Sequence, residues 1–188
     1  MERSEWRVLA SMYITDSHYL RVRRDTIELP NGTIVDEYFV RESRGYVIVF
    51  AINSRNEVLL VRQYRHGIGR PLLELPAGMI DLEETPSATA ARELLEETGH
   101  ASRSLEHLGS FPSDPSSSNS VMHLFLARDV APAQPPDLDP TEAIEIQEVP
   151  IAEVWQLVRR GEIESAAHVA AVAVSLDRLG ANPLPTFG

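Results

Sequence analysis

Gly78–His100 reads GMIDLEETPSATAARELLEETGH, and both the fold and the chemistry turn on this stretch. Thr85 is a side-chain cap for a helix, and Pro86 fits its first position, where a missing N–H costs nothing. Gly99 ends the helix in the left-handed conformation. At about 100° per residue, Ala88, Ala91, Leu95 and Thr98 fall on one side. Glu93, Glu96 and Glu97 fall on the other, spaced i, i+3 and i+4.

Acids at these spacings repel one another, and they stand in the last turns, where the helix dipole disfavours negative charge. Arg92 is the one local cation. Two readings are open. One is a solvated acidic face; the other is a bound divalent cation, because Mg²⁺ and Mn²⁺ prefer carboxylate oxygen.

The wider spacing is Gly78, five residues, Glu84, seven residues, Arg92-Glu93-Leu94, one residue, Glu96-Glu97, one residue, Gly99. It resembles the Nudix box, the signature of hydrolases acting on a nucleoside diphosphate linked to another group. The family has an aliphatic residue after the last glycine where this chain has His100. The lead-in Glu74-Leu75-Pro76-Ala77-Gly78 resembles the ADP-ribose pyrophosphatase branch. That resemblance implies that the Ala77 carbonyl, Glu93 and Glu97 bind metal, with Glu96 bridging or assisting and counted among both metal ligands and catalytic groups. It implies that Glu74 contacts substrate or positions the site, and that Arg92 orients Glu84 or the metal-binding acids. The cofactor implied is Mg²⁺, with Mn²⁺ as the other choice.

Before this stretch, residues 5–14 and 18–28 read as strands, and Asn31-Gly32 is a hairpin signal leading into TIVDEYFVRE. GYVIVFAI from Gly45 is a continuous apolar strand of the kind buried on both faces. VLLVRQYR returns as the next strand. Arg62, Arg65 and Arg70 cluster around the HGIGR loop and, with Arg44, are candidate substrate ligands; a solvated rim is the alternative.

After the helix, residues 105–111 form a strand, PSDPSSSNS is an adaptable loop, and VMHLFLARDV is a strand. Pro115 lies close to where ADP-ribose-directed members carry a proline, although a serine run surrounds it here. The proline-rich segment 131–140 is expected to carry no regular structure. Acidic loop residues beyond it serve as general base in related enzymes; Glu142 matches best, and Glu145, on a strand, is the second choice. Two helices close the chain. Val154, Leu157 and Val158 share one face of the first, and Val169, Val172, Ala173 and Leu176 fall together on the second.

The 188 residues contain no cysteine, which excludes disulfides, thiolate metal sites and a cysteine nucleophile. The N-terminus lacks the apolar core of a signal peptide, no run approaches the ~20 apolar residues of a membrane span, and a reducing cytoplasm suits the chain. The net charge of −11 argues against a nucleic-acid or membrane binder. It is unevenly spread: residues 1–70 carry +2 and residues 71–188 carry −13, and all 17 basic residues are arginine. Arginine is the better bidentate phosphate ligand, so an arginine-bearing half opposite an acidic half suits a phosphate substrate. No Gly-x-Ser-x-Gly elbow supports a serine hydrolase. The six histidines show no metal-ligand spacing and read as structural.

The expected architecture is an α/β/α sandwich on a mixed sheet, preceded by N-terminal antiparallel strands. Residues 1–42 form the strand segment, which in Nudix relatives crosses to a second subunit and helps build its site, so a homodimer is expected. Residues 43–182 form the Nudix domain, and 183–188 a tail. The activity implied is hydrolysis of a nucleoside diphosphate sugar, foremost ADP-ribose to AMP and ribose 5-phosphate. GDP-mannose, UDP-glucose or another nucleotide sugar are the alternatives, and a non-catalytic nucleotide-ligand sensor is a third reading.

Overall fold

The computed structural model describes residues 5–17, 20–139 and 143–181. They divide into two compact units: residues 1–44 with 112–121, and the remainder.

In the first unit, β1 (Arg7–Asp16), β2 (Arg21–Glu28) and β3 (Ile34–Glu42) form an antiparallel sheet in that order. The turn between β2 and β3 falls at Asn31-Gly32, where Gly32 takes φ +82° and donates its N–H to the Leu29 carbonyl. The Asn31 side chain accepts from Thr33 N–H, a local bond that competes with strand extension. The serine loop joins this unit: Arg41 N–H donates to the Ser117 carbonyl, and Ser43 N–H to the Asn119 side chain.

The second unit is built on a mixed sheet of eight strands among the described residues: β4 (Tyr46–Asn53), β5 (Glu57–Arg65), β6 (Arg70–Glu74), β7 (Ala77–Met79), β8 (His100–Ala101), β9 (Leu105–Pro112), β10 (Val121–Pro132) and β11 (Ile144–Pro150). The main path runs β11-β5-β4-β10-β8, with β4 and β10 parallel and the others antiparallel. Residues 46–52 of β4 form an apolar run because they have a core on each side. Ile48, Phe50 and Ile52 pack with Val154, Leu157 and Leu176 of α2 (Ile151–Arg159) and α3 (Ala166–Arg178). Val47, Val49 and Ala51 pack with Ala90 and Leu94 of α1 (Pro86–Thr98). Helices therefore cover both faces of the sheet, as an α/β/α sandwich requires. Truncating a fully buried side chain such as Leu94 to alanine would cost about 2–5 kcal/mol.

Three expectations are corrected. The buried face of α1 is Thr89, Ala90, Leu94, Glu97 and Thr98 rather than Ala88, Ala91, Leu95 and Thr98, a rotation of about one residue. Glu97 joins this face, where its side chain accepts the Ala77 N–H beside the packed Ala90 and Leu94. On α3 the buried residues are His168, Ala171, Val172, Ser175 and Leu176; Val169 packs against the same core as expected, while Ala173 stands partly exposed and His168 and Ser175 take inward places. Segment 131–140 begins as regular structure, since β10 runs through Pro132 and pairs Ala131 and Pro132 with Ala101 and His100. Among the described residues, no helix is long and apolar enough to cross a membrane.

Candidate active site

The helix α1 begins and ends where its sequence dictates. Thr85 Oγ1 accepts from Ala88 N–H at 3.3 Å, Pro86 follows at the first position, and Gly99 closes the helix at φ +70° with its N–H on the Leu95 carbonyl. The dipole penalty on the last-turn acids is moderated from outside. Asp137 N–H donates to the Glu96 carbonyl at 2.9 Å, and Ala133 N–H donates to the Gly99 carbonyl at 2.8 Å. These bonds occupy carbonyls that the helix cannot satisfy itself.

Each acid of the helix has a different environment. Glu97 is 3 % exposed, and its Oε2 accepts from the Ala77 N–H at 2.9 Å, tying the helix to β7. Glu93 lies directly over Gly78, where an added Cβ would stand 1.9 Å from Oε1. Glu96 is the most open of the three.

Arg92 is the hub. Its Nη1 donates to Glu93 Oε1 and Glu96 Oε2, each at 2.8 Å. Its Nε and Nη2 face Glu84 at 3.1 and 3.0 Å, and Nη2 also reaches the Met79 carbonyl. The Arg92 guanidinium holds the Glu84 carboxyl down at about 2, with the Thr89 hydroxyl assisting at 2.8 Å. The reciprocal bond to Glu84, first among its acidic neighbours, raises the already high pKa of Arg92.

One guanidinium is thus shared by Glu84, Glu93, Glu96 and, at 3.8 Å, Asp81. In this side-chain arrangement no three acidic or histidine side chains among the described residues are grouped to hold one ion. The donors nonetheless fit a hard divalent cation. They are carboxylate oxygens in excess of the local positive charge, and Glu93 and Glu96 are held by an exchangeable arginine.

The candidate substrate residues fall into different places. Glu74 is 4 % exposed, and its Oε2 takes Arg65 Nε at 2.8 Å and Nη2 at 2.7 Å. Arg62 on β5 lies opposite Leu73 on one side and Glu145 on the other. Arg70 is engaged by Glu164 through both terminal nitrogens at 2.5 Å. Arg44 and Pro115 belong to the first unit; the Arg44 carbonyl accepts from the Ser120 hydroxyl, and Pro115 stands in a turn where Ser118 N–H donates to the Asp114 carbonyl. Glu142 lies outside the described residues, whereas Glu145 is on β11.

His168 has a place the sequence did not suggest. Its Nδ1 accepts the Leu75 N–H at 3.1 Å, and its Nε2 is 3.5 Å from Glu74 Oε1. Burial pushes the imidazole down to about 4. A ring that accepts at Nδ1 carries its proton on Nε2, facing the carboxylate. The available signal was helical periodicity, which groups His168 with Val172 and Leu176.

The NUDIX domain matches residues 42–171 of this chain. The chain belongs to the Nudix family. The preceding residues 6–40 match the N-terminal domain of nucleoside diphosphate sugar hydrolases, so both parts of this Nudix hydrolase have counterparts. The methanol dehydrogenase activator of Bacillus methanolicus is 31% identical, over 89% of this chain and 91% of its own length. The ADP-ribose pyrophosphatase of Bacillus subtilis (strain 168) is 30% identical over 92% and 93%. A crystal structure of an ADP compounds hydrolase superposes with a TM-score of 0.83 at 24% identity, covering 94% of this chain and 95% of the other, which shows the shared fold. Nudix hydrolases generally use divalent metal cations, in keeping with the carboxylate-rich helix.

Proposed function

We propose that this Nudix hydrolase is a cytoplasmic, homodimeric, Mg²⁺-dependent pyrophosphatase that splits ADP-ribose into AMP and ribose 5-phosphate, with Mn²⁺ able to replace Mg²⁺. The observation that carries this reading is the gathering of Glu84, Glu93 and Glu96 on Arg92 while Glu97 is buried against the Ala77 amide. Glu93, Glu96, Glu97 and the Ala77 carbonyl are the residues that would hold the cation. When bound, divalent cations supply charge neutralisation for the pyrophosphate and acidify the attacking water.

The chain's own groups do the rest. Glu97 sets the helix against β7, so its neighbours present a fixed face to the substrate. Arg92 holds Glu93 and Glu96 together and oriented on one nitrogen before a cation arrives. Glu142 accepts the proton of the attacking water, with Glu145 as the alternative base; either must come within hydrogen-bond reach of that water. Arg62 and Arg65 are the guanidinium donors for the phosphates, and Arg70 joins them only by leaving Glu164. The homodimer reading is supported by β1, exposed along its whole length and carrying Val8, Leu9, Met12, Tyr13 and Ile14 at 45–56 % exposure. A monomer rarely leaves such a strand uncovered.

The deciding experiment compares phosphate-product release from ADP-ribose, GDP-mannose and UDP-glucose with Mg²⁺, using Glu97→Gln as the blank. Preferred turnover of ADP-ribose is expected. Preference for another sugar nucleotide would retain the mechanism and overturn the substrate. Binding without turnover would leave a nucleotide-ligand sensor. Replacing Glu142 and Glu145 singly by glutamine assigns the base: the true one lowers turnover while divalent binding persists.

A further inference from the structure

Arg65 ends β5 and Glu74 ends β6, two strands paired antiparallel, with Val61 opposite Glu74 and Arg65 opposite Arg70. The Glu74 side chain is 5 % exposed, so a single arginine on one of its oxygens is a poor complement for a buried carboxylate. The second oxygen is faced by His168 Nε2, from α3. The other ring nitrogen holds the next amide in the chain, Leu75 N–H, two residues before Ala77. Arg65 is 39 % exposed and stands at the outer end of the pair.

We propose that His168 is a positioning residue of the substrate site: by holding Glu74 and the Leu75 amide it fixes the Arg65 guanidinium for a phosphate of the nucleoside diphosphate sugar. This rests on the function proposed above. An anchor for Leu75 alone requires one acceptor, and asparagine would supply it. Only a side chain whose second polar atom stands as far out as Nε2 reaches Glu74 as well; the Asn Nδ2 falls short, at the place of the ring Cδ2. The planar guanidinium is sensitive to such anchoring, because its value for phosphate lies in a preset fork of donors.

Two variants separate the roles. In His168→Asn the amide oxygen replaces Nδ1 and nothing replaces Nε2; in His168→Gln the longer amide reaches toward Glu74. His168→Asn should raise the KM for ADP-ribose about tenfold, the equivalent of about 1.4 kcal/mol, with kcat unchanged, and His168→Gln should recover most of the loss. Arg65→Ala should raise KM similarly, and the double variant His168→Asn/Arg65→Ala should be no worse than Arg65→Ala. Additive losses, or a wild-type KM in His168→Asn, would overturn the proposal. A second readout needs no turnover: the Arg65 Nε–H resonance should be sharp in wild type, broadened in His168→Asn and restored in His168→Gln. If wild type fails to cleave ADP-ribose, the substrate reading falls, and this resonance alone decides the role of His168. An unbroadened signal in His168→Asn sinks it.

Discussion

Gly78 has no side chain because Glu93 occupies the space: a Cβ there would stand 1.9 Å from Glu93 Oε1 and 2.0 Å from its Cδ. Gly78 is not among the glycines with positive φ, so the constraint is close approach rather than backbone strain.

Gly78→Ala should therefore push the Glu93 carboxylate off Arg92 while leaving the helix folded. A displacement of about 1 Å at a reacting site costs on the order of 10²-fold in rate. Steady-state turnover, with circular dichroism as control, checks it. A variant with wild-type turnover would show that the Glu93 position is unimportant.

Glu97→Gln keeps an oxygen to accept the Ala77 N–H, the bond seen at 2.9 Å, so the fold should survive. On the proposed role of Glu97 as a cation donor, losing the charge should lower turnover by about two or more orders of magnitude, the scale of removing a group that stabilises transition-state charge. Thermal melting with and without Mg²⁺ is the companion measurement, and the variant should lose most of the metal-induced rise.

Arg92→Ala leaves Glu84, Glu93 and Glu96 without their shared cation. Without divalent cation its Tm should fall by several degrees, given about 2–4 °C per kcal/mol in a chain of this size. Mg²⁺ should restore more of that loss than it adds to wild type, because the arginine no longer competes for the carboxylates. Turnover should nevertheless drop. An equal Mg²⁺ response in both proteins would contradict the competition.

Burial holds the His168 imidazole at about 4 in the folded chain, against 6.5 in the unfolded one, with Glu74 opposing the shift and Arg65 supporting it. The unfolded state therefore binds the extra proton first. The stabilisation is full above about pH 6.5 and is lost as pH falls toward 4; by linkage the loss is about 3 kcal/mol. Denaturant unfolding between pH 7 and 4 should show this slope in wild type and lack it in His168→Asn.

Some features could be read from residues alone because their causes are local. Thr85, Pro86 and Gly99 each act within one turn of backbone, and α1 begins and ends at them. Asn31-Gly32 makes its turn through a left-handed glycine and a bond two residues long. The apolar run at residues 46–52 fits a strand between two cores, whichever neighbours it takes. The rotation of α1 was not legible, because periodicity counts a glutamate as polar and outward. Glu97 is inward since an amide on β7 awaits it. Pro132 likewise sits in a strand because β8 offers it a place at the end of a ladder, where its missing N–H is harmless.

The sequence by itself determined the family, the acidic helix and its limits, and the alternation of strands and helices, because spacing along the chain and short-range backbone preferences suffice for these. Tertiary structure decided which acids are buried and which are shared: Arg92 spans Glu84 to Glu96, and Glu74 receives Arg65 from β5 and His168 from α3. Those partners are distant in sequence, and the environment of a charge is set by what the fold packs around it.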